Sequence, residues 1–157
     1  DGNAIVKSLK SGQQGLIILD RTPLYSEGGG QVGDQGTIKA GGAHAQVENT
    51  KKYQDIFVHS VTIKSGELKV GDKVHVEVSI DRRNTMSNHS ATHLMHAALR
   101  QVLGTQVTHA GSLVDSQRLR FDFTFGLALS SDEIKTVDDW VNEEIAKANR
   151  VLPQETP

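Results

Sequence analysis

The chain has 157 residues, enough for one domain or two small ones sharing a core, since a chain of this length buries roughly 70% of the surface its unfolded form exposes. A balance of 17 Lys and Arg against 19 Asp and Glu gives a net charge of −2, which argues against a protein held to nucleic acid by bulk positive charge and leaves room for a local basic patch. With no Cys there is no disulfide, thiolate nucleophile or Cys-based zinc finger; aromatics at 4% disfavour a stacking platform for single-stranded nucleic acid, and no apolar run is long enough for a membrane span.

In chain order, Asp1-Gly2-Asn3 shows neither an initiator Met nor a secretory signal and reads as a cut from a longer chain. The absence of Cys is compatible with a reducing, cytoplasmic setting. Up to about residue 80 the signals are those of strands. Leu16-Ile17-Ile18-Leu19 is a short apolar run closed by Asp20-Arg21-Thr22-Pro23. Thr37-Ile38-Lys39 and His44-Ala45-Gln46-Val47 flank Gly41-Gly42, a hairpin turn, and residues 56–63 are β-rich. Residues 73–80 alternate strictly, with Val74, Val76, Val78 and Ile80 on one face.

After Asp81 the period changes to 3.6. Residues 82–103 contain no Gly or Pro, Gly104 supplies a stop, and Ala91, Leu94, Met95, Ala98 and Val102 form the stripe assigned to the core. Leu119, Phe121, Phe123 and Phe125 alternate with Arg118, Arg120, Asp122 and Thr124 in a further strand. Ser130 with Glu133 matches a capping box that opens an amphipathic helix of Ile134, Val137, Trp140, Val141 and Ile145, fading before Pro153. The fold class is therefore α+β, with a small β-barrel-like part over residues 1–80 and an α/β part over 81–157.

Two constellations carry chemistry. His89, His93 and His96 share one helix face, roughly opposite the apolar stripe, and an i, i+4 pair supplies two imidazole ligands to one metal ion. No Glu follows His89, which removes the His-Glu-x-x-His zinc-protease motif. In the second, Gly28-Gly29-Gly30-Gln31 places three glycines, which permit positive φ and close backbone approach to a ligand, before a side-chain amide. It is neither a P-loop, having no Lys-Ser or Lys-Thr after it, nor a dinucleotide fingerprint, having no helix pattern after it. Gly29-Gly30-Gln31 also matches the tripeptide of translation release factors, but in a β-rich setting that does not fit them. Basic residues come in local pairs: Lys51-Lys52, Arg82-Arg83, and Arg118 with Arg120 on one strand face.

Together these residues have a specific likeness. Arg21-Thr22-Pro23-Leu24-Tyr25-Ser26-Glu27-Gly28-Gly29-Gly30-Gln31-Val32-Gly33-Asp34 resembles the glycine-rich segment of the alanyl-tRNA synthetase editing domain. Asn88-His89-Ser90-Ala91-Thr92-His93-Leu94-Met95-His96 resembles its zinc-helix motif. Ala97-Ala98-Leu99-Arg100-Gln101-Val102-Leu103-Gly104, Gly111-Ser112-Leu113-Val114 and Leu119-Arg120-Phe121-Asp122-Phe123 follow in the family's order, so the resemblance covers essentially the whole chain.

The resemblance implies a β-barrel-like part packed on an α/β part shared with the threonyl-tRNA synthetase editing domain. It also implies hydrolysis of tRNA(Ala) wrongly charged with serine or glycine, errors that a pocket for alanine cannot exclude strongly because such small differences are worth only about 1–3 kcal/mol. His89 and His93 would be zinc ligands, and Gln31 would line the pocket at the aminoacyl ester, with Gly29 and Gly30 giving close backbone approach. Thr22 and the strand at Gly111-Ser112 would shape the pocket, Arg82 and Arg83 would meet the tRNA(Ala) acceptor end, and His96 would be a helix-face residue rather than a ligand. The family completes its zinc site with a Cys-x-x-x-His segment that these residues lack, so zinc belongs to the complete domain and is expected to be weak or absent here. The expected partners are the tRNA and the remainder of a synthetase chain that also carries an ATP-dependent ligase domain. The alternatives are a stand-alone AlaX-type deacylase, a non-catalytic tRNA-binding module, and a metal-dependent hydrolase of unrelated small esters.

Overall fold

A computed structural model describes residues 4–148. Its elements run β1 (Ser8–Lys10), β2 (Gln14–Ile18), β3 (Gly36–Ala40), β4 (Ala43–Tyr53), β5 (Ile56–Ser65), β6 (Glu67–Lys69), β7 (His75–Val78), α1 (Asp81–Leu103), β8 (Thr108–Val114), β9 (Leu119–Thr124) and α2 (Ser131–Ala146). The protein is α+β, as the change of period at Asp81 predicts.

Five antiparallel strands form the principal sheet in the order β2-β5-β4-β3-β7, and β1 pairs with β6 as a separate ribbon. Alternation decides what each strand buries. Ile38 of β3, Ala43, Ala45 and Val47 of β4, Val61 and Ile63 of β5 and Leu68 of β6 point into one core, joined by Leu9, Ile17 and Val76. The seven strands thus wrap a shared core as a barrel does, but β2 and β7 remain the edges of an open sheet. The Gly41-Gly42 turn joins β3 to β4, with Ala40 opposite Ala43.

A second core lies between α1, α2 and the β8–β9 hairpin, built from Ala98, Leu99, Leu103, Val107 and Val137 with Phe121, Phe123 and Trp140 against them. The Ser130–Glu133 capping box caps α2 as expected: the Glu133 N–H donates to Ser130 Oγ, and the Ser130 N–H to Glu133 Oε2 at 2.8 Å. The expected fading before Pro153 lies outside the described residues. One expectation needs correction. The buried residues of α1 are Thr85, Thr92, Ala98, Leu99 and Leu103, so the buried face is turned toward the histidines rather than opposing them. The reason is that α1 packs against α2 on one side and the β8–β9 hairpin on another, which broadens its buried arc beyond the purely apolar stripe.

Candidate functional site

The site forms where the first core meets the second. The chain reverses sharply at Gly28–Gln31, with reciprocal main-chain bonds between the two at 3.0 and 3.1 Å and with Gly29 and Gly30 at φ +59° and +81°. Gln31 then lies alongside Val114 as a short parallel bridge. The Val114 N–H donates to the Gly30 carbonyl at 2.8 Å, and the Val32 N–H to the Val114 carbonyl at 3.0 Å. The glycine-rich segment is in effect an added strand on β8. Only glycine fits at position 30: its φ is left-handed, and a Cβ there would run into the hydroxyl of Ser112 and lie 2.7 Å from its carbonyl oxygen.

This docking buries Gln31 and aims its side chain at α1. The Gln31 Oε1 accepts from His89 Nδ1–H at 2.6 Å. Because Oε1 can only accept, Nδ1 carries the proton, and in the neutral ring Nε2 keeps its lone pair. Partial burial, and then the charge of His93, hold the His89 imidazole below its ordinary value, which favours the neutral ring. His93 stacks on His89 with ring centroids 5.1 Å apart. The N–H groups of Gly29 and Gly30 make no hydrogen bond among the described residues, and Ser112 donates to the Gly29 carbonyl at 3.5 Å.

Gln31, Gly29, Gly30, Ser112, His89 and His93 are therefore brought together, with Gly111 next to Ser112 in β8 and close to the Asp122 carboxylate. Two expected residues are engaged elsewhere. The Thr22 hydroxyl accepts the Leu24 N–H and donates to His59 Nε2 at 2.9 Å, so it holds the turn that leads into the glycine-rich segment. Arg82 contacts the Asp34 carboxylate at 3.2 Å and donates to the Pro23 carbonyl at 3.1 Å, which pins the glycine-rich segment to the start of α1. Arg83 is exposed. His96 packs on Phe121 with centroids 5.2 Å apart, on the second core.

Asp34 and His59 carry weight that the sequence did not announce. Asp34 is buried, accepts the Tyr25 N–H through its carboxylate at 2.8 Å, and accepts the Thr50 hydroxyl through its main-chain carbonyl at 3.0 Å. Its signal was its place immediately after Gly33, whose Cβ, if present, would collide with Thr50. As a metal centre the arrangement is incomplete: no group of three or more His, Cys, Asp or Glu able to hold an ion occurs among the described residues. His89 and His93 offer two imidazoles and alone do not close a zinc site.

Residues 1–82 match the family model of class II tRNA synthetases (A), and the chain belongs to that family. Over 152 residues, 96% of the chain, it is 56% identical to an alanine–tRNA ligase of Bdellovibrio bacteriovorus. It is 51% identical over 146 residues to that of Cupriavidus necator and 49% over 152 residues to that of Pseudomonas syringae. In each case the match covers 17% of the relative, so the chain spans about a sixth of the length of these proteins. No helix among the described residues is long and apolar enough to cross a membrane.

Proposed function

We propose that the chain is the editing segment of an alanine–tRNA ligase and hydrolyses the ester of tRNA(Ala) mischarged with serine or glycine. The observation that carries this reading is the hydrogen bond between Gln31 and His89, which joins the glycine-rich segment to the helix motif across 58 positions of sequence. With Oε1 held by His89, the Gln31 amide N–H groups and the N–H groups of Gly29 and Gly30 are donors for the carbonyl oxygen of an aminoacyl ester. Water attack turns that oxygen into an oxyanion, and preorganised donors stabilise such charge as it develops. Ser112 closes the pocket behind the turn. His89 and His93 would hold two positions of a zinc ion, with the other ligands from a Cys-x-x-x-His segment of a longer chain; when bound, the ion would supply positive charge that orients the aminoacyl group or a water. The cytoplasm, where charged tRNA is used, is the setting this reading implies.

The test is deacylation of Ser-tRNA(Ala), with zinc supplied, by this chain, by its Gln31→Ala and His89→Ala variants, and by a longer form that includes the Cys-x-x-x-His segment. Loss of one oxyanion-type donor costs about 100- to 1,000-fold in rate, so Gln31→Ala in the longer form should fall by that order. An inert longer form would overturn the editing assignment and favour a non-catalytic tRNA-binding module.

A further inference from the structure

A groove of about 420 Å³ starts at Gln31 and runs to the tip of the β4–β5 hairpin. One wall holds Gly30 and Gln31 against Ser112, and the other holds Lys51, Lys52 and Tyr53, with the Glu27 carboxylate between them as the one acidic group of the lining. Tyr53, next to the turn residue Gln54 at φ +56°, leaves 61% of its surface in solvent. The two lysines are only loosely held, Lys51 at 3.7 Å from Glu27 and Lys52 at 3.4 Å from Asp55, with every partner at least two-fifths exposed. Such pairs exchange readily for a phosphate. The cleft on the opposite side of the glycine-rich segment, about 370 Å³, is lined by Asp34, Glu48, Asp81 and Asp115, and its Arg82 is committed to Asp34. An RNA backbone is repelled there and attracted to the lysine side.

We propose that this groove binds the single-stranded 3′ end of an RNA, with a base stacked on Tyr53, phosphates at Lys51 and Lys52, and the terminal ribose ester delivered to Gln31. This rests on the editing reading for the ester alone; the groove's claim on single-stranded RNA stands on its own residues. The chain as a whole is poor in aromatics, but here one exposed ring stands beside two cations, a stacking face next to groups that attract the backbone. The ester-bearing end then enters along a wall of backbone and amide donors.

Fluorescence anisotropy with a labelled RNA hairpin, with and without a single-stranded 3′ tail, tests this on the whole chain. Tyr53→Ala is expected to weaken binding of the tailed hairpin by about 5- to 100-fold and leave the tail-less hairpin unaffected, whereas Tyr53→Phe retains the ring and the affinity. Joint replacement of Lys51 and Lys52 by Ala should lower the slope of log affinity against log salt by about 1 to 2. All three residues lie at an exposed hairpin tip, and an unchanged thermal melt confirms that the variants fold. Tyr53→Ala binding the tailed hairpin as tightly as the parent, or losing both hairpins equally, overturns the proposal. Tail-dependent binding with no ester hydrolysis even by the longer form that includes the Cys-x-x-x-His segment upholds the groove and removes the editing reading. Hydrolysis whose KM is untouched by Tyr53→Ala upholds editing and removes the groove.

Discussion

His59 shows how one buried polar side chain positions a functional segment from behind. It is a fully buried residue of β5 opposite Ile17 of β2, its Nδ1–H donates to the Ile17 carbonyl at 3.0 Å, and its Nε2 accepts the Thr22 hydroxyl at 2.9 Å. Thr22 in turn accepts the Leu24 N–H, so the ring fixes the chain just before the glycine-rich segment. Burial, only partly offset by the Ile17 bond, lowers its pKa below the ordinary value near 6.5. Native His59 therefore stays neutral where an unfolded His already takes a proton. In that interval the unfolded state binds more protons, so this contribution is complete above about pH 6.5 and is lost as pH falls through and below it, by up to about 1.4 kcal/mol per pH unit. Urea midpoints between pH 7.5 and 5.5 should fall more steeply for the parent than for His59→Gln, and equal slopes would refute the assignment.

At the scale of elements, the glycine-rich turn is a strand-pairing device as well as a pocket wall. Gly30→Ala puts a methyl group against Ser112 at a left-handed φ, and it is expected to cost about 1–3 kcal/mol in urea denaturation and to detach Gln31 from His89. Because the Ser112 carbonyl as well as its hydroxyl stands in the way, adding Ser112→Gly should recover only part of the loss; complete recovery would show that the side chain alone was responsible. What the sequence disclosed follows element type. The strict alternation of residues 73–80 marks β7, and the unbroken stretch after Asp81 marks α1 nearly to the residue, because one face of each is apolar. The three-residue β1 and β6 carry too few side chains to show a period. The Thr108–Val114 strand β8 shows no readable period, and only the resemblance marked a strand at Gly111-Ser112, because β8 holds a bulge between His109 and Gly111 and pairs at Val114 with Gln31 of the glycine-rich segment. In the site, Gln31 and His89 were legible as motifs. The role of Arg82 was not, because its partner Asp34 lies far away in sequence and neither residue looks unusual alone.

At the scale of the whole molecule, two cores are held in register by a narrow seam. Among the described residues, and apart from the chain connection at Ile80, the seam includes the pairing of residues 30–32 with Val114, the Ser112–Gly29 bond, the Gln31–His89 bond and the clamp of Arg82 on Asp34 and Pro23. Asp34 is almost wholly buried while Arg82 is about a third exposed, so the clamp is worth less than a fully desolvated pair but more than a surface one. Arg82→Ala leaves a buried carboxylate with the Tyr25 N–H and no cation, and is expected to cost about 2 kcal/mol. The consequence reaches beyond stability. Trp140, the chain's single tryptophan, packs on the second core, so its fluorescence reports that core, while amide exchange in β4 and β5 reports the first. With the seam intact the two should lose structure together, as a cooperative unit does. With Arg82→Ala the exchange of β4 and β5 should proceed at a lower free energy than the Trp140 transition, because the first core can then open without the second. If the two stay coincident in the variant, the Val114 bridge and the Gln31–His89 and Ser112–Gly29 bonds suffice to couple the cores, and Arg82 serves only to seat the glycine-rich segment.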